Sequence, residues 1–416
     1  MDLTKKDTVM KKKLTTSLIS FIFASTAVCA DVLSLDELTR DILSIDELSS
    51  SELSMESLAH DELAEDIFNK KVLPVKPYAA KHFISLPDDL KFPEGITTNP
   101  NNGDIFVGTF NVPIPNVNPT PNNALLRYNK HGKLLARTDF SGITPLVGLK
   151  FNQNDHHIYI ASLGDISGVG SKILRIPADF EDAANPEVVA DIPFVGAPQN
   201  RTVVNLDNSV DTISFSTYVR VPNDIIFNHQ GDLFISDSFQ GAIFTLENPL
   251  SCQTPCAMEL VIQDALLATA GFPSFGANGI AFNLDESELF IANTGDDRIL
   301  KLDIAGSGQL SVFTESINGP DGIKFDENGN LWVTANQSDN VIALNQQGRI
   351  IAKLGDFLGI RKDGSARGLL FPGSLTISGN KMYVTNLSQV ATPMSGDEPE
   401  EMVTKYTVSK IKIPKL

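Results

Sequence analysis

Residues 319–335 read GPDGIKFDENGNLWVTA. A Pro-Asp-Gly start leads into an alternating apolar run. The turn Asp326-Glu327-Asn328-Gly329-Asn330 follows, then a second apolar run. Two short strands joined by an Asn/Gly turn make a hairpin signal. The same pattern recurs as FPEGITTNPNNGDIFVG (92–108), VPNDIIFNHQGDLFIS (221–236) and GANGIAFNLDESELFIAN (276–293). Weaker copies are LVGLKFNQNDHHIYIA (146–161) and FPGSLTISGNKMYVTN (371–386). The six copies stand 53, 76, 55, 43 and 52 residues apart, counted at positions 94, 147, 223, 278, 321 and 373. A period of this length, with several short strands in each unit, predicts an all-β, six-bladed β-propeller over residues 80–416.

The position after the Pro, or its equivalent, reads Glu94, Val147, Asn223, Asn278, Asp321, Gly373. Equivalent positions on the innermost strands of a propeller face one another across the axis. Glu94, Asn223, Asn278 and Asp321 are therefore expected to converge. Two carboxylates and two amides around a point describe a site for a hard cation, most naturally Ca2+, with Zn2+ or Mn2+ as alternatives. Asp and Asn also start strands and cap turns for local reasons. Four such residues at six equivalent positions favour the metal reading.

The formal net charge of −18 argues against a nucleic-acid partner. Much of it belongs to the leader: residues 31–69 hold twelve acids and one base, Arg40. Residues 1–30 read as an export signal, with Lys11-Lys12-Lys13 ahead of an apolar stretch from Leu14 to Ala27 and a small-residue cleavage site at Val28-Cys29-Ala30. That stretch is short for a membrane span, so no integral span is expected after cleavage. The expected location is secreted or periplasmic. Residues 31–75 form an acidic leader built on a ten-residue repeat, with Leu33, Leu43, Leu53 and Leu63 in register. It reads as mobile or partner-dependent, with short capped helices as the alternative and a protein partner as a hypothesis. Cys252 and Cys256 are the two cysteines beyond the signal. In an exported chain they read as a local disulfide, against the alternative of two free thiols.

Strand direction sorts the loops. With the end carrying Glu94 and Asp321 as the top, the Asn/Gly turns lie at the bottom. The long loop 110–123 and the insertion 193–220 then overhang the top. His131, His156, His157 and His229 all fall in bottom turns, on the order of 20 Å from the axial cluster at ~3.3 Å per residue. A catalytic histidine beside the cluster is not expected. No G-x-S-x-G, H-E-x-x-H or P-loop pattern is present. Residues 82–86 and 404–413 are candidate strands for closing the ring.

FPEGI (92–96), VPNDI (221–225), GANGIAF (276–282) and GPDGIKFDENGNLWVTA (319–335) resemble the senescence-marker-protein, gluconolactonase and luciferin-regenerating-enzyme family, roughly over residues 80–415. The Glu, Asn, Asn, Asp order is also similar to the calcium site of paraoxonases. The resemblance implies a six-bladed propeller with one axial divalent metal that hydrolyses a lactone or ester of small-molecule size. Glu94, Asn278 and Asp321 match the metal ligands, and Asn223 matches a residue that faces metal or substrate. Asp321 matches the presumed base. The gluconolactonase pattern places an Arg two residues before the Asn223 position. Here Val221 stands there and Arg220 precedes it, so Arg220 is the candidate substrate-binding residue. The paraoxonase histidine pair has no counterpart at the top. Two rival readings remain: a non-catalytic scaffold that binds a protein or small ligand through its top face, and a metal-free condensing propeller of the strictosidine-synthase kind. The Glu/Asn/Asn/Asp ring argues against the second.

Overall fold

The computed structural model describes residues 79–112, 122–140, 145–164, 170–392 and 396–416. The expected export signal and acidic leader lie outside the described residues, as does most of the loop 110–123. The described chain is all-β. Six four-stranded antiparallel sheets form the blades, and among the described residues helical structure is limited to two 3-10 turns, Asn336–Ser338 and Pro399–Met402.

The innermost strands of blades 1 to 6 are Pro93–Thr98, Leu146–Asn152, Pro222–Phe227, Ala277–Phe282, Pro320–Phe325 and Pro372–Ser378. Each one packs against the next, and the sixth returns to the first. Blade 6 takes its two central strands and its inner strand from the C-terminal end of the chain. Its outer strand, Lys81–Ser85, comes from the other end and pairs with Thr407–Lys412. The ring is therefore closed by backbone hydrogen bonds between the two ends of the propeller.

Turn chemistry explains the hairpins. In blade 5 the Asp326 carboxylate accepts the N–H of Asn328, the N–H of Asn330 and the indole N–H of Trp332. Asn99, Asn152 and Asn228 make the corresponding side-chain-to-backbone bonds in blades 1, 2 and 3. Alternation then supplies the core. In the second strand of blade 1, Phe106 faces blade 2, and Ile105 and Val107 face blade 6. Both faces are covered, so Ile105–Thr109 is buried throughout. One apolar cluster fills the seam between each pair of neighbouring blades. A large apolar side chain buried in such a seam contributes roughly 1.5–3 kcal/mol.

The 76-residue spacing arises from an added hairpin, Arg201–Val204 with Val210–Ile213, between blades 2 and 3. A second one, Phe357–Ile360 with Ala366–Gly368, joins blades 5 and 6. Cys252 and Cys256 are bridged in the structure, with their Cα atoms 5.5 Å apart, between the third and fourth strands of blade 3.

Candidate functional site

Every inner strand breaks register with its neighbour at the same place. The irregularity spans Pro93/Ile96, Leu146/Leu149, Pro222/Ile225, Ala277/Ile280, Pro320/Ile323 and Pro372/Leu375. The six equivalent residues identified from the sequence each lie inside this bulge, which re-aims a side chain relative to a regular pleat. Close approach at the axis is needed as well. A Cβ on Gly279 or Gly322 would run into the backbone of the next inner strand. A Cβ on Gly373 would collide with Glu94 Oε2. The sixth position is thus a glycine because the Glu94 carboxylate occupies the space beside it.

Glu94, Asn223, Asn278 and Asp321 line one cavity of about 50 Å³, together with Val147. All four are only 4–5 % exposed. Two serve through amides, and the hydrogen bonding fixes which way each amide points. The Ser238 hydroxyl donates its one hydrogen to the Ala277 carbonyl at 2.7 Å, so it accepts from Asn223 Nδ2 at 2.9 Å. The Thr294 hydroxyl donates to the Pro320 carbonyl at 2.7 Å and accepts from Asn278 Nδ2 at 2.9 Å. Each amide nitrogen spends one of its two N–H groups in this way, which fixes the Nδ2 end toward the hydroxyl and the Oδ1 end away from it. In blade 5 the equivalent position is Asn336, whose Nδ2 donates to Asp321 Oδ2 at 3.2 Å.

The cluster is short of donors. Glu94 Oε2, Asp321 Oδ1 and Asn336 Oδ1 are buried acceptors without a hydrogen-bond partner. A buried polar atom left unpaired costs about 1–3 kcal/mol. Burial first, and then the charges of Asp321 and Asp224, push the Glu94 carboxyl well above its usual range. Burial pushes Asp321 up to about 7, with Asp224 adding to the rise and the amides of Asn336 and Asn278 opposing it. A cation at the cluster would satisfy the orphaned oxygens and remove the repulsion. Among the described residues no three His, Cys, Asp or Glu side chains form a metal-binding group. A cation here would have to draw on amide oxygens too, a donor set suited to Ca2+ more than to Zn2+.

The rest of the wall is largely apolar, with Ser274 and Gln389 as its polar side chains. Phe110, Phe371, Leu387 and Val390 line it from blades 1 and 6, and Phe272 and Phe275 from the connection between blades 3 and 4. Neither that connection nor the Ser238, Thr294 and Asn336 supports stood out in the sequence. The supports each follow the second strand of a blade, so they emerge once the register is known. Arg220 is not part of the cavity wall; its guanidinium stacks over the Phe194 ring, 5.2 Å from the centroid. Among the described residues, no histidine lines the cavity.

Residues 220–355 match the family model described as SMP-30/Gluconolactonase/LRE-like region. The chain carries a gluconolactonase-like region. That region contains Asn223, Asn278 and Asp321 with all three of their supports. A lactonase, drp35 of Staphylococcus saprophyticus, is 22% identical over 214 residues, covering 48% of this chain and 53% of the relative. The match thus spans about half of that relative's length. Among solved structures, the chain is similar to a luciferin-regenerating enzyme, with 13% identity, coverage of 78% of this chain and 92% of the other, and a TM-score of 0.49. It is also similar to a calcium-binding protein, regucalcin, of Agrobacterium tumefaciens, with 14% identity, coverage of 80% and 97%, and a TM-score of 0.48. Among the described residues, no helix is long and apolar enough to cross a membrane.

Proposed function

We propose that the protein is a metal-dependent hydrolase of apolar lactones or esters. The observation that carries the reading is the set of orphaned, oriented oxygens at the axis: Glu94 Oε2, Asp321 Oδ1 and the two amides turned by Ser238 and Thr294. Glu94, Asn223, Asn278 and Asp321 would hold the cation, Ca2+ by donor type. A divalent ion bound there supplies Lewis-acid polarisation of a carbonyl oxygen.

The remaining chemistry falls to the chain. Asp321 takes a proton from a water as the water oxygen bonds to the carbonyl carbon. The ring C–O bond then breaks, and the departing oxygen recovers that proton from Asp321. Asn336 holds Asp321 Oδ2 in place, which fixes the carboxylate that takes the proton. The apolar wall orients the substrate and excludes water. Phe110, Phe272, Phe275, Phe371, Leu387 and Val390 outnumber the polar Ser274 and Gln389 in the wall, which supports an alkyl or aryl substrate over a sugar lactone. Export remains part of the proposal; the Cys252–Cys256 bridge suits an oxidising compartment.

The test is hydrolysis of an alkyl-substituted lactone, an aryl ester and a sugar lactone, each with chelator and with added calcium. The reading expects turnover of the first two that chelation abolishes, calcium restores and Asp321→Asn removes. Turnover that ignores both the chelator and Asp321→Asn would overturn it.

A further inference from the structure

Three residues beyond the axial cluster, the inner strands present a second ring of equivalent positions: Thr97, Lys150, Ile226, Ala281, Lys324 and Thr376. Three residues of strand correspond to roughly 10 Å of travel down the channel. Four of the six are polar and adjacent around the ring, in the order Lys324, Thr376, Thr97, Lys150 across blades 5, 6, 1 and 2. All four line a separate cavity of about 30 Å³.

We propose that this lower chamber binds one small monovalent anion of the halide class, held between the ammonium groups of Lys150 and Lys324. The charge balance points that way. Among the described residues, Asp224 is the one carboxylate in the chamber wall. Its oxygens are already engaged, Oδ1 by the N–H of Ile225 at 2.8 Å and Oδ2 by the N–H of Ile280 at 3.0 Å. With both lysines protonated, two ammonium groups against one carboxylate leave one excess positive charge inside the propeller. Burial alone favours the neutral amines, and a bound anion favours the charged ones.

The donor inventory agrees. An ammonium group only donates, and Thr97 Oγ1 accepts the Phe151 N–H at 3.3 Å, so its own hydrogen is available to a ligand. The arc therefore offers N–H and O–H donors and positive charge on one side of a small chamber. Size narrows the class. A cavity of about 30 Å³ has room for a ligand of one or two waters in size, which suits a halide. Burial, and then the charge of Lys150, lower Lys324 to about 7. An anion between the two lysines opposes that repulsion and keeps both protonated. The proposal concerns residues other than the cation ligands, and stands whether or not the hydrolase reading does.

The test uses the full chain without added metal. Crystals soaked in bromide should show an anomalous peak between Lys150 and Lys324. In solution, sodium bromide should raise Tm by about 2 °C over sodium gluconate at equal ionic strength. Lys150→Met and Lys324→Met should each abolish that difference. If a variant does not fold, the crystal peak and the wild-type salt difference decide. A chamber without anomalous signal, or a peak with equal Tm in the two salts, would overturn the proposal; the latter would mean an adventitious ion only.

Discussion

The two halves of the channel mouth are built from the same repeat and hold their axial residues differently. In blades 3, 4 and 5 the residue following the second strand is polar, and it binds the axial residue of its own blade: Ser238 to Asn223, Thr294 to Asn278, Asn336 to Asp321. In blades 6, 1 and 2 that position is Leu387, Phe110 or Leu163, and all three are buried. Their axial partners are Gly373, Glu94 and Val147. One half is thus a preorganised set of oxygens, and the other is a largely apolar wall in which Glu94 and Gln389 are the polar side chains. A repeat need not distribute function evenly. Here three consecutive units carry the orientation, and three carry the shape.

The largest effect should come from removing a ligand on the polar side. Asp321→Ala is expected to lower calcium affinity by more than ~100-fold, beyond the 10–100-fold usual for losing a supporting residue. Calorimetric titration would show it, with circular dichroism confirming the fold. The supports come next: Ser238→Ala and Thr294→Ala free an amide to rotate, and each should weaken calcium binding by about 10–100-fold. If either leaves affinity unchanged, the hydroxyls do not orient the amides. Gly373→Ala attacks the boundary between the halves, because its Cβ collides with Glu94 Oε2. A calcium affinity equal to wild type would show that Glu94 is not held where it is needed. On the apolar side, Leu387→Ala should reduce kcat/KM for an alkyl lactone by about tenfold, with calcium affinity unaltered. A change in metal affinity instead would mean that the halves are not separable.

The smallest effect is one of pH. In the metal-free protein the Asp321 carboxyl titrates near 7, raised from its usual value chiefly by burial. A carboxyl raised in the folded state favours folding while protonated. Its contribution is present below the unfolded value, near 4, and is lost as pH rises through about 7. The Tm of chelated protein should therefore fall over that interval, and Asp321→Asn should flatten the fall. With calcium bound, the ionised form is the one held, so the decline should shrink or reverse.

Much of this was legible before any coordinates. Turn residues such as Asp326 and Asn228 punctuate the repeat at fixed offsets, and the apolar alternation between them sets the strands. Position counting then put Glu94, Asn223, Asn278 and Asp321 on one ring, because equivalent residues of a closed repeat share a height. The supports were harder to see. Ser238, Thr294 and Asn336 share no residue type, and the role of the first two depends on a hydroxyl having its one hydrogen already committed to the next blade's carbonyl. Phe272 and Phe275 belong to a connection with no counterpart in the other blades, so no repeat pointed to them. Arg220 shows the limit of adjacency in sequence: it precedes an axial strand, yet its side chain stacks on Phe194 and not on the cavity wall.

The account rests on the axial oxygens being a cation site. Its most direct test is a calcium titration of the chelated wild-type chain beside Asp321→Ala, read by calorimetry. One equivalent of calcium bound by the wild type, with proton release below pH 7 and no comparable binding by the variant, is the expected result. A wild type that binds no calcium, or a variant that binds it equally well, would contradict the account and return Glu94, Asn223, Asn278 and Asp321 to a structural role.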